Sequence, residues 1–224
     1  MRIFIVIAAY NEAKSIGKVI DGLRKAGYNN IIVVEDGSRD GTYREILRHN
    51  VHALRHIVNR GQGASLKTGI DYALQQGADI IVTFDADGQH KVEDIPAMLR
   101  PLLKKECEVT LGSRFLAESD MPWFRKLTLK IAVFILWLFY GIRMTDAHNG
   151  FRAMTRDAAR KIEITSDRME HASQIIEEIH KRRIKYREVP VTIRYTDYSM
   201  KHGHGGFVQA LRIFARMLMR KVMK

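Results

Sequence analysis

Short apolar runs alternate with amphipathic stretches through the first half of the chain, and this rhythm limits the fold more than any other feature. Ile3 to Ala9, Ile31 to Glu35, Ala53 to Val58, Ile80 to Phe84 and Val109 to Leu111 read as strands. Between them, Ala13 to Ala26, a segment from about Gly41, Ala64 to Gln76, and Val92 to Leu103 read as helices. Strand, helix, strand in this order implies an α/β fold with a mostly parallel sheet and helices on both faces. Ligands of such sheets bind outside the carboxyl ends of the strands. The loops expected there are AAYNE (8–12), EDGSRDG (35–41), NRGQG (59–63) and DADGQH (85–90), which should converge. The second half is less regular: an apolar helix over Pro122 to Gly141, a short strand over Phe151 to Met154, a helix over Ser173 to Lys181, a strand over Tyr186 to Arg194 and a last helix over Phe207 to Met223.

A length of 224 residues suits one domain with a short appendage, and it buries enough core to need no disulfide. The one cysteine, Cys107, reads as a buried thiol, in keeping with a reducing cytosol. The net charge of +12 calls for anionic partners: nucleic acid, anionic lipid or phosphorylated ligands. Against nucleic acid, the aromatics are not interleaved with basic residues on exposed-looking strands. The longest apolar run, Ile131 to Ile142, falls short of the roughly 20 residues that span a bilayer; it is a core helix or one lying in the membrane interface. From Lys201 onward there are six Lys or Arg and no acid. Phe207, Leu211, Phe214, Leu218 and Val222 fall on one face of the last helix, with Arg212, Arg216, Arg220 and Lys224 on another. Such a helix packs on its own protein or lies on an anionic membrane.

The sharpest local signal is Asp85-Ala86-Asp87-Gly88-Gln89-His90 after the run Ile80 to Phe84. Carboxylates two apart on an extended chain share a face and can reach one ion, and Mg2+ or Mn2+ uses such oxygens together with substrate phosphates. A divalent ion would offset the charge of a departing nucleoside diphosphate. His90 by itself reads as a surface histidine. Asp36, and less so Glu35, can accept hydrogen bonds from a base or ribose, while Ser38 either joins them or caps the next helix. Gly61 and Gly63, before a helix, favour close approach of a phosphate. Arg114, in Gly112-Ser113-Arg114, lies just past a strand end and can clamp a phosphate; Arg152 is a further candidate. The stretch from Tyr195 to Gly206, with Lys201, His202 and His204, reads as a mobile lid.

In this order, AYNE, EDGS, a G-x-G turn, DADGQH, GSR, the run Asp146 to Arg152, MEHAS (169–173), EVPV (188–191) and YSxxK resemble the family 2 glycosyltransferases with the GT-A fold, Rossmann-like nucleotide-diphospho-sugar transferases. Within them the pattern is most similar to the dolichol-phosphate mannose synthases and related polyprenyl-phosphate enzymes. The resemblance implies that Ala9, Tyr10, Glu12, Asp36, Gly61, Gly63, Asp85, Ala86 and Asp87 bind the nucleotide-sugar. It implies that Asp85, Asp87 and Gln89 hold Mg2+ or Mn2+, and that Asp87 and Arg114 are catalytic. Arg114, Arg125, Arg194 and Lys201 would meet the acceptor phosphate. Where the family usually has Pro and Asp, this chain has Ala9 and Glu35. The expected enzyme is an inverting transferase that moves a hexose from GDP-mannose or UDP-glucose to a polyprenyl or dolichyl phosphate. A soluble saccharide or protein hydroxyl is the alternative acceptor, and a basic nucleic-acid-binding module the distant one. Residues 1–200 would form the catalytic domain, with an interfacial segment at about 122–142. Residues 201–224 would add a basic amphipathic helix and hold the protein peripherally on the cytoplasmic face of a membrane.

Overall fold

The computed structural model describes residues 1–116, 130–131, 133, 142, 144–146 and 149–194. Arg125, Lys201, the expected lid and the C-terminal helix lie outside these residues, as does most of the 122–142 segment.

Seven strands form one sheet: β1 (Ile3–Ala9), β2 (Ile31–Asp36), β3 (His52–His56), β4 (Ile80–Asp85), β5 (Val109–Ser113), β6 (Arg152–Thr155) and β7 (Tyr186–Pro190). Their order is β3-β2-β1-β4-β6-β5-β7. All pairings are parallel except those of β6, which runs antiparallel between β4 and β5. The central strands are unbroken runs of Ile, Val and Phe because both faces of the sheet are covered.

The helices divide between the two faces. On one side α1 (Ile16–Lys25), α2 (Thr42–Ile46) and α4 (Ile95–Leu103) bury Ile16, Ile20, Leu23, Ile46, Met98 and Leu102 against Ile5, Ile7, Val33, Val82 and Phe84. On the other, α3 (Gln62–Gln75), α5 (Arg156–Lys161) and α6 (His171–Lys181) bury Leu66, Ile70, Ala158, Ile175 and Ile179 against Val6, Val34, Ile81 and Met154. Strand alternation therefore sends Asp36 and Asp85 toward α3.

Several boundaries differ from the sequence reading. Helix α1 starts at Ile16 because Glu12 closes a turn first, its carbonyl accepting from Ser15 and Ile16. The expected helix from Val92 opens as a 3-10 turn, Val92–Asp94, ahead of Pro96. Strand β3 ends at His56, so Ile57 and Val58 are exposed loop residues rather than strand residues. Helix α5 was not foreseen; it is six residues long, with Thr155 Oγ1 accepting from the Ala158 amide at 3.3 Å. Cys107 is a buried free thiol, as expected.

Gly69 shows how tightly α3 lies on the sheet: a Cβ there would sit 2.4 Å from Val6 Cγ1 and 3.2 Å from Val34 Cγ2. Gly69→Ala should therefore destabilise the protein by about 1–3 kcal/mol through overpacking, although alanine is the better helix former by about 1 kcal/mol. Urea denaturation checks this, and a raised midpoint would show that the helix can lift off at no cost.

Candidate active site

The four loops meet at the carboxyl end of the sheet. The Asn11 amide donates to Ser38 Oγ at 3.0 Å, the Arg39 amide to Asn11 Oδ1 at 3.0 Å, and the Glu12 amide to Thr42 Oγ1 at 2.7 Å. Asn11 takes a left-handed conformation, φ 56°, to make this crossing. Ser38 thus holds the first loop and does not cap α2. Ala9 is buried at the end of β1, and Tyr10, next in the chain, is 40% exposed.

The second and third loops are joined by Asp36. Its Oδ1 accepts from the Arg60 amide at 3.0 Å and lies 2.7 Å from His56 Nδ1; its Oδ2 accepts from the Gly61 amide at 2.7 Å. The anion held at the start of α3 is thus the chain's own carboxylate. The expected contact of Asp36 with base or ribose would have to be made by a carboxylate already engaged by these partners. The glycines also have a packing reason. A Cβ on Gly61 would lie 2.4 Å from the Asp167 carbonyl, and one on Gly63 2.0 Å from that of Ser166. Their smallness admits the 166–168 segment, and the Asp167 carbonyl accepts from the Ala64 amide at 3.0 Å. Glu35 is fully buried, accepting from the Ser38 amide and from Arg55 Nε.

The fourth loop carries the acids. Asp85 ends β4, Oδ1 accepting from Gln62 Nε2 at 3.3 Å. Its Oδ2 lies 2.8 Å from His90 Nε2, at ion-pair distance but outside hydrogen-bonding angles. His90 is not a surface histidine. It is buried, edge-on to Phe84 at 5.3 Å and 5.0 Å from the ring of Phe151. Past Asp85 the chain turns at Ala86 and Asp87, so the two aspartates are not neighbours on one extended face; Gly88 follows at φ 75°. Asp87 Oδ1 accepts from the Gln89 amide at 2.9 Å. The side chain of Ala86 joins the core, leaving only its backbone to face a ligand. Gly150 lies over Asp85: a Cβ there would come within 2.7 Å of Oδ1.

Charge is unevenly compensated. Burial opposes ionisation of Asp85, but His90 and then Arg152 outweigh it and hold its pKa below the usual range. Arg152 is only 1% exposed; burial lowers its own pKa to about 10 against the pull of Asp85 and Asp146. It is therefore a buried countercharge rather than a phosphate clamp. Burial, followed by the charge of Arg152, drops His171 to about 4 and keeps it neutral. Asp87 is pushed the other way, to about 6, by burial and then by Asp85. Glu12 is raised by burial, with Asp87, Asp40 and Asp85 adding to it against a hydrogen bond from Ser15.

Glu12, Asp85 and Asp87 thus form a crowded, oxygen-rich mouth. Among the described residues no three acids or histidines converge closely enough to hold an ion by themselves. Such a donor set fits a hard divalent cation that also takes ligands from substrate phosphates and water.

On the far side of β4, Arg114 Nε and Nη2 donate to Asp146 at 2.6 and 2.7 Å, and the Arg114 amide donates to Asp146 at 3.1 Å. One edge of the guanidinium expected to meet phosphate is therefore held by a buried carboxylate. Asp146 is placed in turn by Glu188 of β7, which accepts from the Asp146 amide at 3.1 Å and the Thr145 amide at 2.8 Å. Arg194 is exposed and adjoins the acid loop, its amide donating to the Gln89 carbonyl at 2.9 Å beside the His90–Ile193 bridge. A hollow of about 500 Å³ lined by Ile179, His180, Arg183 and Tyr186 lies at the other end of the sheet and is no part of this site. Sequence reasoning placed His90 near the metal motif without foreseeing its burial, and missed Glu188 and His171 as site residues. These two lay within segments noted only as pattern, EVPV and MEHAS.

Residues 4–163 match the family model described as glycosyl transferase family 2. The chain belongs to that family. A UDP-N-acetylglucosamine–dolichyl-phosphate N-acetylglucosaminyltransferase of Methanococcus voltae is 35% identical over 99% of this chain and 97% of its own length. An undecaprenyl-phosphate mannosyltransferase of Micrococcus luteus is 28% identical, covering 93% of this chain and 90% of its own. The fold is GT-A. It matches the crystal structure of glucosyl-3-phosphoglycerate synthase from Mycobacterium tuberculosis, in complex with Mn2+, UDP and phosphoglyceric acid, with a TM-score of 0.73 at 16% identity, covering 97% of this chain and 78% of that one.

In this family 2 enzyme the crowding of Asp87 has a measurable sign. Its folded pKa of about 6 lies above the ordinary carboxylate value, so the folded state keeps the proton longer. Stability contributed by that proton is present at low pH and is lost as pH rises toward and through about 6. Without added metal, Asp87→Asn should raise stability at pH 7.5 by about 1–3 kcal/mol and have little effect near pH 4. Urea denaturation at the two pH values checks it; equal effects at both would show that Asp87 is not strained.

Proposed function

We propose that the chain is an inverting, metal-dependent glycosyltransferase that moves a hexose or N-acetylhexosamine from a nucleotide-sugar to a polyprenyl or dolichyl monophosphate. The donor would be of the GDP-mannose, UDP-glucose or UDP-N-acetylglucosamine type. The observation that carries the reading is the mouth of Glu12, Asp85 and Asp87, in which ionised acids repel one another and Asp87 is pushed up to about 6. Near-complete overlap with a relative named for dolichyl phosphate supports the acceptor.

In this reading an oxygen of the lipid phosphate attacks the anomeric carbon of the sugar. The bond from that carbon to the β-phosphate oxygen breaks, and the nucleoside diphosphate departs from the opposite face. A bound Mg2+ or Mn2+, held by Asp85 and Asp87 with Gln89 nearby, would supply positive charge to the departing diphosphate. The chain's own residues do the rest. Gln62 and His90 keep Asp85 oriented from either side. Tyr10 and the crossed loops at Asn11 and Ser38 shape the nucleotide side. Arg114, held in one orientation by Asp146, and exposed Arg194 would give the second substrate a positive wall. A phosphate monoester is already an anion at neutral pH, so no general base is required of the enzyme; Asp87 would serve as one only for an alcohol acceptor.

The described residues contain no helix long and apolar enough to cross a membrane. We place the enzyme peripherally on the cytoplasmic face, with residues 1–200 as the catalytic domain and the 122–142 and 201–224 segments as its lipid contacts.

The test is a panel of nucleotide-sugars with a polyprenyl phosphate, with Mn2+, with Mg2+ or with chelator, read by product mass. One donor should give a glycosyl phospholipid, chelation should abolish it, and metal should restore it. Asp85→Ala and Asp87→Ala should each lower kcat/KM by roughly 10²–10⁴ while the protein stays folded. Turnover that survives chelation, or persists in either variant, removes the metal from the mechanism.

A further inference from the structure

The end of strand β3 carries an apolar tip that neither the fold nor the proposed chemistry uses. Ile57 is 97% exposed and Val58 64%, adjacent in sequence and followed by exposed Asn59 and Arg60. Aliphatic side chains this open, side by side at a loop tip, stand out against a protein whose other Ile and Val residues largely fill two cores.

The tip is held in place. The backbone of Val58 and Asn59 packs against Gly37 so closely that a Cβ on Gly37 would lie 2.7 Å from Val58 C and Asn59 N. The next two amides, of Arg60 and Gly61, are pinned to Asp36. Ile57 and Val58 therefore project from a rigid base, at the same carboxyl end of the sheet as the acid mouth.

The surroundings are basic. Arg39 lies two residues beyond Gly37 and is exposed; Lys14 follows Ala13, whose amide donates to Asp40 on the neighbouring loop. Arg60 is half exposed, with only a 4.0 Å contact to Asp167. Two acids stand among them, Asp40, whose carboxylate accepts from the Thr42 and Ala13 amides, and Asp167 beside Arg60, so the three cations exceed the acids by one.

From this juxtaposition we propose that Ile57 and Val58, with Lys14, Arg39 and Arg60 around them, form a membrane-docking tip that inserts its two aliphatic side chains among the headgroups of an anionic bilayer. The inference rests on the lipid-phosphate reading only in its motive: an acceptor anchored in a membrane must reach this end of the sheet. The physics is that of any interfacial anchor, buried apolar area reinforced by cations near an anionic surface. The tip lies far in sequence from the 122–142 and 201–224 segments, and it would fix the tilt of the cleft against the membrane plane by adding a contact on the nucleotide side.

The experiment uses the full chain and vesicles of phosphatidylcholine with 30 mol% of phosphatidylserine (about that share) or with none, at two salt concentrations. Ile57→Asp/Val58→Asp should lower the vesicle partition coefficient at least roughly tenfold, and Arg39→Gln/Arg60→Gln should lower it on anionic vesicles alone. Both variants should keep the wild-type melting temperature, since the replaced side chains are exposed. The kcat of the Ile57→Asp/Val58→Asp variant on a short, water-soluble prenyl phosphate should be unchanged, while its activity on long-chain acceptor in vesicles falls. Unchanged partition in the aspartate variant overturns the proposal. So does a wild-type dimer, seen by light scattering, that the same substitutions dissociate without altering vesicle binding, because the tip would then meet a second copy of the chain. If wild type transfers no sugar to any prenyl phosphate, the lipid-acceptor reading fails, while the partition result still decides the docking.

Discussion

A carboxylate held by backbone amides sets the register of the whole ligand-facing end. Asp36 receives the Arg60 and Gly61 amides, and so fixes where α3 begins. From that start, Gln62 reaches Asp85, Gly63 lies under the 166–168 segment, and Gly69 lands on Val6 and Val34. An aspartate at a helix start satisfies orphan amides and meets the positive end of the helix dipole, so the charge is stabilised where water is scarce. Three elements from distant parts of the sequence depend on this one side chain.

Around that anchor the site divides by charge. One wall is balanced: Asp146 has the Arg114 fork, and Asp85 has His90 beside it and Arg152 behind it. A buried pair of this kind contributes little net stability but fixes geometry, since breaking it would strand a charge in a dry interior. The mouth is not balanced. Glu12 and Asp87 sit where burial and neighbouring acids both oppose ionisation. Function accounts for such an arrangement better than folding does, because electrostatic strain concentrates where a ligand relieves it.

The layers of the fold and the converging loops were readable in the sequence because they follow from period and spacing. Runs such as Ile80 to Phe84 are too apolar to be anything but doubly covered strands, and a loop follows each. Which side chains face a ligand was less readable, since that depends on partners far away in sequence. Asp36 and the two glycines after it form a good ligand pattern, yet His56 and the 166–168 segment satisfy them internally. His90 reads as polar surface until Phe151, 61 positions on, is brought against it. Helix α5 escaped because six residues are too few to show a period. The i, i+2 argument for the two aspartates placed them in the right loop but assumed an extended chain where Ala86 and Asp87 form a turn.

Strand β6 has a consequence for how such an enzyme changes over time. By running against its neighbours it delivers its leading loop, with Asn149, Gly150 and Phe151, to the same rim as the trailing loops of β4 and β5. The half of the cleft on the β1–β3 side is assembled from strand exits in simple succession, whereas the β5–β7 half joins segments that lie on either side of residues 116–149 in the sequence. None of the residues that pair β1, β2 and β3 with one another comes from that stretch of sequence. A lineage can therefore rework what one half accommodates without having to rebuild the other.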